Sequence, residues 1–256
     1  MYMLIFVAGL IAVWQGAYFL AVDVFEIAKP YLFPSPFGVA ESFVDLCQGG
    51  EIFTATGNSL LRCFIGYAIS ILIGVIVGLL MHRFKFLGKG LKPMILGMQT
   101  LPSVCWVPFS ILWFGLTPQS VLFVVIMGST FSVALAVDNA IKNVPVIYLK
   151  AAKTMGTSTM QIYRYVIFPA CLPTFVSGLK QSWSFAWRAL MAGEIVTTSF
   201  VGLGQILEIA QSVNYDINEV TLIMVVIVIV GILIDKLFFT KIENRMLRKR
   251  GLLIED

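Results

Sequence analysis

Arg188 stands inside a long apolar run, and Glu194 follows six residues later. A cation at membrane depth is costly and turns toward the protein interior or toward water. There a guanidinium can hold an oxyanion through a charge-assisted fork. The bland alternative is an ion pair with Glu194 that holds a helix bundle together. On a regular helix the two side chains would lie about 240° apart, so that pair would need a break at Gly193 or a partner on another span. Glu194 reads as a structural or gating acid, or as a residue of a solute path. Trp183 and Trp187 share a helix face and either pack a core or line a path. Gln99, Ser103 and Trp106 flank Pro102 and Pro108. If those prolines kink a span, the three residues would line a path, while Gln99 and Ser103 could equally hydrogen-bond between helices.

Other chemistries find no support. No nucleophile–base pair is recognisable, and the serines of the apolar runs are most simply helix–helix contacts. The single histidine, His82, lies in a basic stretch without a second histidine or matching carboxylate, so no metal site is expected. Cys47, Cys63, Cys105 and Cys171 lack metal-binding spacing. Gly88-Lys89-Gly90 has neither the spacing nor the context of a phosphate-binding loop, so the chain is not expected to bind ATP or to be an enzyme.

The elements that must position these residues are membrane helices. The chain has 256 residues, of which 59% are hydrophobic and 12% charged. Its mean hydropathy is +0.91. Soluble domains carry about 25% charged residues, and a chain of this size cannot hide the difference in a larger core. The excess apolar surface faces lipid, with room for about six spans. The alternating pattern of a membrane barrel is absent. The runs are expected at 2–22, 60–81, 93–114, 120–137, 171–195 and 220–239. Gly74 and Gly78 in the second form a small-xxx-small pattern that permits close helix approach. The first run lacks a basic leader and a clear cleavage site, and reads as a retained span. Phe33-Pro34-Ser35-Pro36 breaks any helix before the second. Between the second and third, a basic loop is expected from His82 to Lys92. Residues 203–213 suit a short interfacial helix.

The net charge of +4 is clustered. Arg83, Lys85, Lys89 and Lys92, then Lys142, Lys150, Lys153 and Arg164, then Lys236, Lys241, Arg245, Arg248, Lys249 and Arg250 all fall on one side of a six-span map. The positive-inside rule places that side, with both termini, in the cytoplasm. The charge therefore speaks to topology and anionic lipid, not to nucleic acid. A single transmembrane domain is expected over 1–256, with a polar loop at 138–169 and a basic tail at 240–256.

That loop is the most telling segment. It is too polar to cross a bilayer and suits a helix, a break at Gly156, a cap at Thr157 or Ser158, and a second helix. Leu149, Ala151, Ala152 and Met155 could form a small apolar face on the first piece, and Ile162, Tyr163 and Val166 one side of the second. Periodicity alone leaves open whether it docks on another protein or lies on the membrane surface.

The loop resembles the cytoplasmic coupling loop of ABC importer permeases: Glu-Ala-Ala, three residues, Gly, nine residues, Ile, one residue, Leu-Pro. Here that register reads Lys150-Ala151-Ala152, Gly156, Val166 and Phe168-Pro169, with every spacing kept. Lys150 in place of Glu removes any contact that needs a carboxylate there. Phe33-Pro34-Ser35-Pro36, Leu101-Pro102 with Trp106-Val107-Pro108 and Trp113-Phe114-Gly115, and Gly178-Leu179-Lys180 with Trp187 to Glu194 and Gly202-Leu203-Gly204 resemble the nitrate, sulfonate, taurine and bicarbonate subfamily. The resemblance implies a type I importer permease fold, all α-helical. It implies a second permease copy, two ABC ATPase subunits that carry ATP and Mg and receive the loop, and an extracytoplasmic solute-binding protein. The solute would be small and anionic. The rival is a secondary transporter driven by an ion gradient, which would call for midplane acids and an inverted repeat.

Overall fold

A computed structural model describes residues 2–25, 29, 32–197 and 199–248. Twelve helices carry the described chain: α1 (Tyr2–Tyr18), α2 (Pro36–Gln48), α3 (Glu51–Arg83), α4 (Lys85–Thr100), α5 (Val107–Phe114), α6 (Pro118–Lys142), α7 (Val146–Thr154), α8 (Thr159–Ile162), α9 (Phe168–Val196), α10 (Leu203–Ser212), α11 (Ile217–Ile234) and α12 (Lys241–Arg248). No strand occurs among the described residues. Wider π-turns extend α1 through Phe19–Val24, join α8 to α9 and join α11 to α12.

Four helices are long and apolar enough to cross a membrane: Glu51–Arg83, Pro118–Lys142, Thr159–Val196 and Ile217–Arg248. A fifth crossing is counted if the pair Lys85–Thr100 and Ser103–Phe114, bent by 101°, is one span. The apolar stretch Ala8–Val22 is shorter. The expected third span is therefore not a kinked single helix. It breaks at Leu101-Pro102, because the residue before a proline is pushed out of helical geometry (Leu101 ψ is 127°). Pro108 does not kink anything, since it sits in the first turn of α5, where its missing N–H costs nothing. The expected basic loop from His82 to Lys92 is also helical: α3 runs to Arg83 and α4 starts at Lys85. Lysines are good helix formers, and tertiary contacts of Lys92 hold this segment. The mixed segment before the second span holds α2 and the first turns of α3. The residues 249–256 of the basic tail, with Lys249 and Arg250, lie outside the described residues.

The chain divides into two compact units, residues 1–60 with 194–230, and residues 61–193 with 231–256. In the first, the proline motif is an anchor. The Trp14 indole donates to the Pro34 carbonyl at 3.0 Å, and the Ser35 N–H donates to the Asn218 side chain at 2.9 Å. The Ser35 hydroxyl accepts from the Gly38 N–H and caps α2.

In the second unit α6 is the central element, buried almost continuously from Ser129 to Ala140. The small-xxx-small pattern of α3 lies against it. A Cβ on Gly74 would come within 2.6 Å of Val133 Cβ, and one on Gly78 within 2.7 Å of the Ala134 carbonyl oxygen. Serines tie the helices across this core. Ser129 bonds Ser70 at 2.8 Å, and Ser182 bonds Ser132 at 3.0 Å. Between membrane helices such bonds are worth about 0.6 kcal/mol each. Asp138, fully buried, accepts from Lys92 at 3.0 Å and Lys142 at 2.7 Å, which joins α4 to α6. Lys180 pairs with Asp235 at 3.2 Å. Most large side chains on the other helix faces are exposed, as lipid-facing surface should be.

Candidate functional site

The polar loop folds as a helix, a break and a second helix. Pro145 opens α7, and the chain reverses at Gly156, whose φ is +74°. Glycine takes that conformation without the penalty of about 1–2 kcal/mol that a Cβ brings. The Thr157 hydroxyl donates to the Ala152 carbonyl at 2.7 Å and closes the end of α7. Ser158 caps α8 in a reciprocal box with Gln161, whose side chain accepts the Ser158 N–H at 2.8 Å.

The residues of the two expected apolar faces divide between buried and exposed positions. Ala152 and Ile162 are buried, and Leu149, Val166 and Pro169 are half-buried. Of the small apolar face expected on the first piece, Ala151 and Met155 are exposed, as are Lys150 and Gly156. Met155 lies past the end of α7, where helical spacing no longer applies. The outward surface is instead apolar, with Val146, Ile147, Tyr148, Met155 and Met160 each more than half exposed. Sequence reasoning did not single out Val146 to Tyr148, because three consecutive apolar residues do not mark one face of a helix.

Of the six residues assigned to a path, four share one cavity of the second unit. Gln99, Ser103, Trp106 and Arg188 line a space of about 350 Å3 with Gly128 and Phe185. The break at Leu101-Pro102 turns Gln99 and Ser103 into the same wall. The Arg188 guanidinium lies 4.8 Å from the Phe185 ring centre, and its Nε donates to the Ser184 carbonyl at 3.2 Å. It makes no salt bridge among the described residues.

Trp187 and Glu194 do not line this cavity. Trp187 is 7% exposed and stacks on Trp183 at 6.4 Å, within a cluster that includes Phe64, Tyr67 and Phe239. Glu194 belongs to the first unit and is fully buried. Its Oε2 accepts from the Ser59 hydroxyl at 2.7 Å and the Gly204 N–H at 3.1 Å, while Ser59 accepts from the Leu203 N–H at 2.9 Å. Gly202 lies so close to the carboxylate that a Cβ there would come within 2.6 Å of Oε2, and one on Gly204 would come within 2.5 Å of the Glu194 Cβ.

A second cavity of about 380 Å3 also takes Gln99 in its wall, with Ser132, Asn139, Asn143, Ser177 and Gln181. Neither lining contains an acid. The two linings descend single helix faces. On α6 they take Gly128, Phe131, Ser132, Leu135, Ala136 and Asn139, with Asn143 just past its end, and on α9 Thr174, Ser177, Gly178, Gln181, Phe185 and Arg188. At 1.5 Å per residue the α9 face runs about 21 Å, a large part of a hydrocarbon core of about 30 Å. Sequence reasoning did not single out Asn139, Asn143 and Gln181, because their spacing of three and four shows a shared face but not what that face meets.

Residues 70–248 match the family described as binding-protein-dependent transport system inner membrane component. The chain belongs to that family. It is a multi-pass inner-membrane protein and the permease subunit of an ABC importer. It is similar to a putative ABC transporter permease protein, MJ0413, of Methanocaldococcus jannaschii, with 27% identity across 85% of this chain and 84% of that one. It is also similar to the bicarbonate transport system permease protein CmpB of Synechocystis sp., with 28% identity over 74% and 68%. The putative aliphatic sulfonates transport permease protein SsuC of Bacillus subtilis is 26% identical over 95% and 86%. Among solved structures, the permease fold matches a chain of the inward-facing MetNI methionine ABC transporter with a TM-score of 0.66 and 21% identity, over 78% of this chain and 97% of that one. An amino acid ABC transporter with histidines gives the same score at 18% identity, over 79% and 97%.

Proposed function

We propose that this permease carries a small anion, and that Arg188 receives it. The observation that carries the reading is a guanidinium without a carboxylate partner among the described residues, lining a cavity otherwise built from uncharged groups. A guanidinium there can hold an oxyanion through a charge-assisted fork. Gln99, Ser103 and Trp106 complete the first station. The amide-rich second cavity, sharing Gln99, offers hydrogen bonds without net charge, so an anion can be held there and still leave. Glu194 and Trp187 serve the scaffold. The relatives named for bicarbonate and aliphatic sulfonates agree with an anionic cargo.

In this reading α1 is the first of six spans and both termini are cytoplasmic. The whole chain is one permease domain with a loop at 138–169 and a cytoplasmic tail at 240–256. Two copies surround the path as a homodimer in the lipid bilayer. A solute-binding protein delivers cargo from outside. The chain itself carries no cofactor, and ATP and Mg bind the separate ATPase subunits. Those subunits take up the segment from Lys150, Ala151 and Ala152 through Gly156 to Val166 and Pro169. The outward apolar residues of α7, with Met155, supply the surface to be covered.

The rival of an ion-gradient transporter is disfavoured because its one candidate acid, Glu194, is engaged by Ser59 and Gly204. The test is co-reconstitution with the neighbouring ATPase and binding protein in liposomes, measuring uptake across a panel of anions. Uptake that requires ATP and the binding protein supports the reading. Uptake by this chain alone, driven by an ion gradient, would overturn it.

A further inference from the structure

Where α3 ends and α8 begins, the second unit carries an open groove of about 1010 Å3. Its lining is chiefly aliphatic and aromatic, with Leu79, Phe168 and Phe175 in it. The same lining includes His82, Arg83 and Arg164 and no carboxylate. Neither arginine takes part in a salt bridge among the described residues. Arg164 lies 5.8 Å from the ring of its neighbour Tyr165, and the buried Nδ1 of His82 has no hydrogen-bond partner.

The position of the two arginines narrows the occupant. Arg83 is the last residue of the span Glu51–Arg83, and Arg164 lies near the start of the span Thr159–Val196. Both therefore stand where a span meets the headgroup layer, and long basic side chains there reach toward lipid phosphates while their stems cover apolar surface. A free inorganic anion would have no use for an apolar floor. A zwitterionic lipid would leave the excess positive charge unmatched.

We infer that this groove seats an anionic glycerophospholipid, with acyl chains against Leu79, Phe168 and Phe175 and its phosphate held by Arg83 and Arg164. The lipid would splint the second helix of the polar loop, through Thr159 and Tyr163, to the end of α3. The inference needs only that these helices span a membrane, and not that the loop engages an ATPase.

The test is native mass spectrometry of the purified full-length chain released from bilayers of equal phosphatidylglycerol and phosphatidylcholine. Phosphatidylglycerol is expected to be retained about tenfold over phosphatidylcholine, as two interfacial arginines allow. R83Q/R164Q should bring the ratio to near parity, while R83K/R164K keeps most of it and K85Q/K89Q, outside the groove, leaves it unchanged. Should R83Q/R164Q fail to elute as a folded species, R83Q and R164Q made singly are each expected to lower the ratio part of the way. An unchanged ratio in R83Q/R164Q, or in both single variants, would overturn the inference. So would equal retention of phosphatidylcholine in the unaltered chain, or displacement of the lipid by inorganic phosphate. Loss of the lipid when the ATPase subunit is added would assign the groove to that partner instead.

Discussion

The Ser59 hydroxyl donates to Glu194 at 2.7 Å across 135 residues of chain, and the same hydroxyl accepts the Leu203 N–H at 2.9 Å. One buried carboxylate thereby joins the start of α3, the end of α9 and the turn into α10. In a membrane protein a buried acid is first suspected of moving ions. Here its hydrogen bonds and the two glycines against it describe a fastening point.

Loss of that point should show as instability before it shows as altered transport. Glu194→Ala leaves the Ser59 hydroxyl and the Gly204 N–H without their acceptor, at a cost of about 1–3 kcal/mol for each buried orphan. Glu194→Gln, with the same shape, should lose less. Thermal unfolding of the detergent-purified chain measures both. A variant that unfolds like the unaltered chain but has lost uptake would return Glu194 to the solute path.

Arg188→Gln should reduce uptake at low solute concentration by about tenfold or more, the usual worth of a charge-assisted hydrogen bond. Arg188→Lys keeps the charge but loses the fork and should fall between. Rates of ATP-driven uptake against solute concentration give the measurement, with thermal stability unchanged. Equal rates in all three proteins would count against an anion at this cavity.

Gly78→Val should destabilise the bundle. The added atoms meet the Ala134 carbonyl oxygen and Val137, both fixed in the middle of α6. Backbone cannot step aside as a flexible side chain can, and overpacking of this kind costs about 1–3 kcal/mol. Yield of folded protein after detergent extraction checks this, and Gly97→Val, with open space around it, serves as the comparison.

Gly156 separates two effects. A Cβ there meets nothing within 4 Å in this chain, so only its φ of +74° opposes substitution. Gly156→Ala should therefore insert and fold, with a local cost of about 1–2 kcal/mol. Gly156→Trp should also insert, but its bulk would stand on the outward surface and disconnect ATP hydrolysis from uptake. Membrane insertion, ATPase rate and uptake measured side by side distinguish these. Normal uptake by the Trp variant would argue that no partner approaches this turn.

The membrane class, the principal spans and the break at Gly156 were legible in the sequence, because each rests on composition or on residues close together in the chain. Long apolar runs must find lipid or a core, and a glycine between two short helical segments marks a reversal wherever it stands. Gln99, Ser103, Trp106 and Arg188 were also identifiable one by one as polar or amphipathic residues in costly places. The proline break at Leu101-Pro102 was visible as a disturbance, but its 101° bend was not. Which of the intramembrane polar residues face a common space was decided only by tertiary packing. Arg188 and Glu194 look alike on a hydropathy plot, yet one lines a cavity and the other is clamped by Ser59 and Gly204. Those contacts join residues far apart in the chain, and helical periodicity says which residues share a face but not what that face meets.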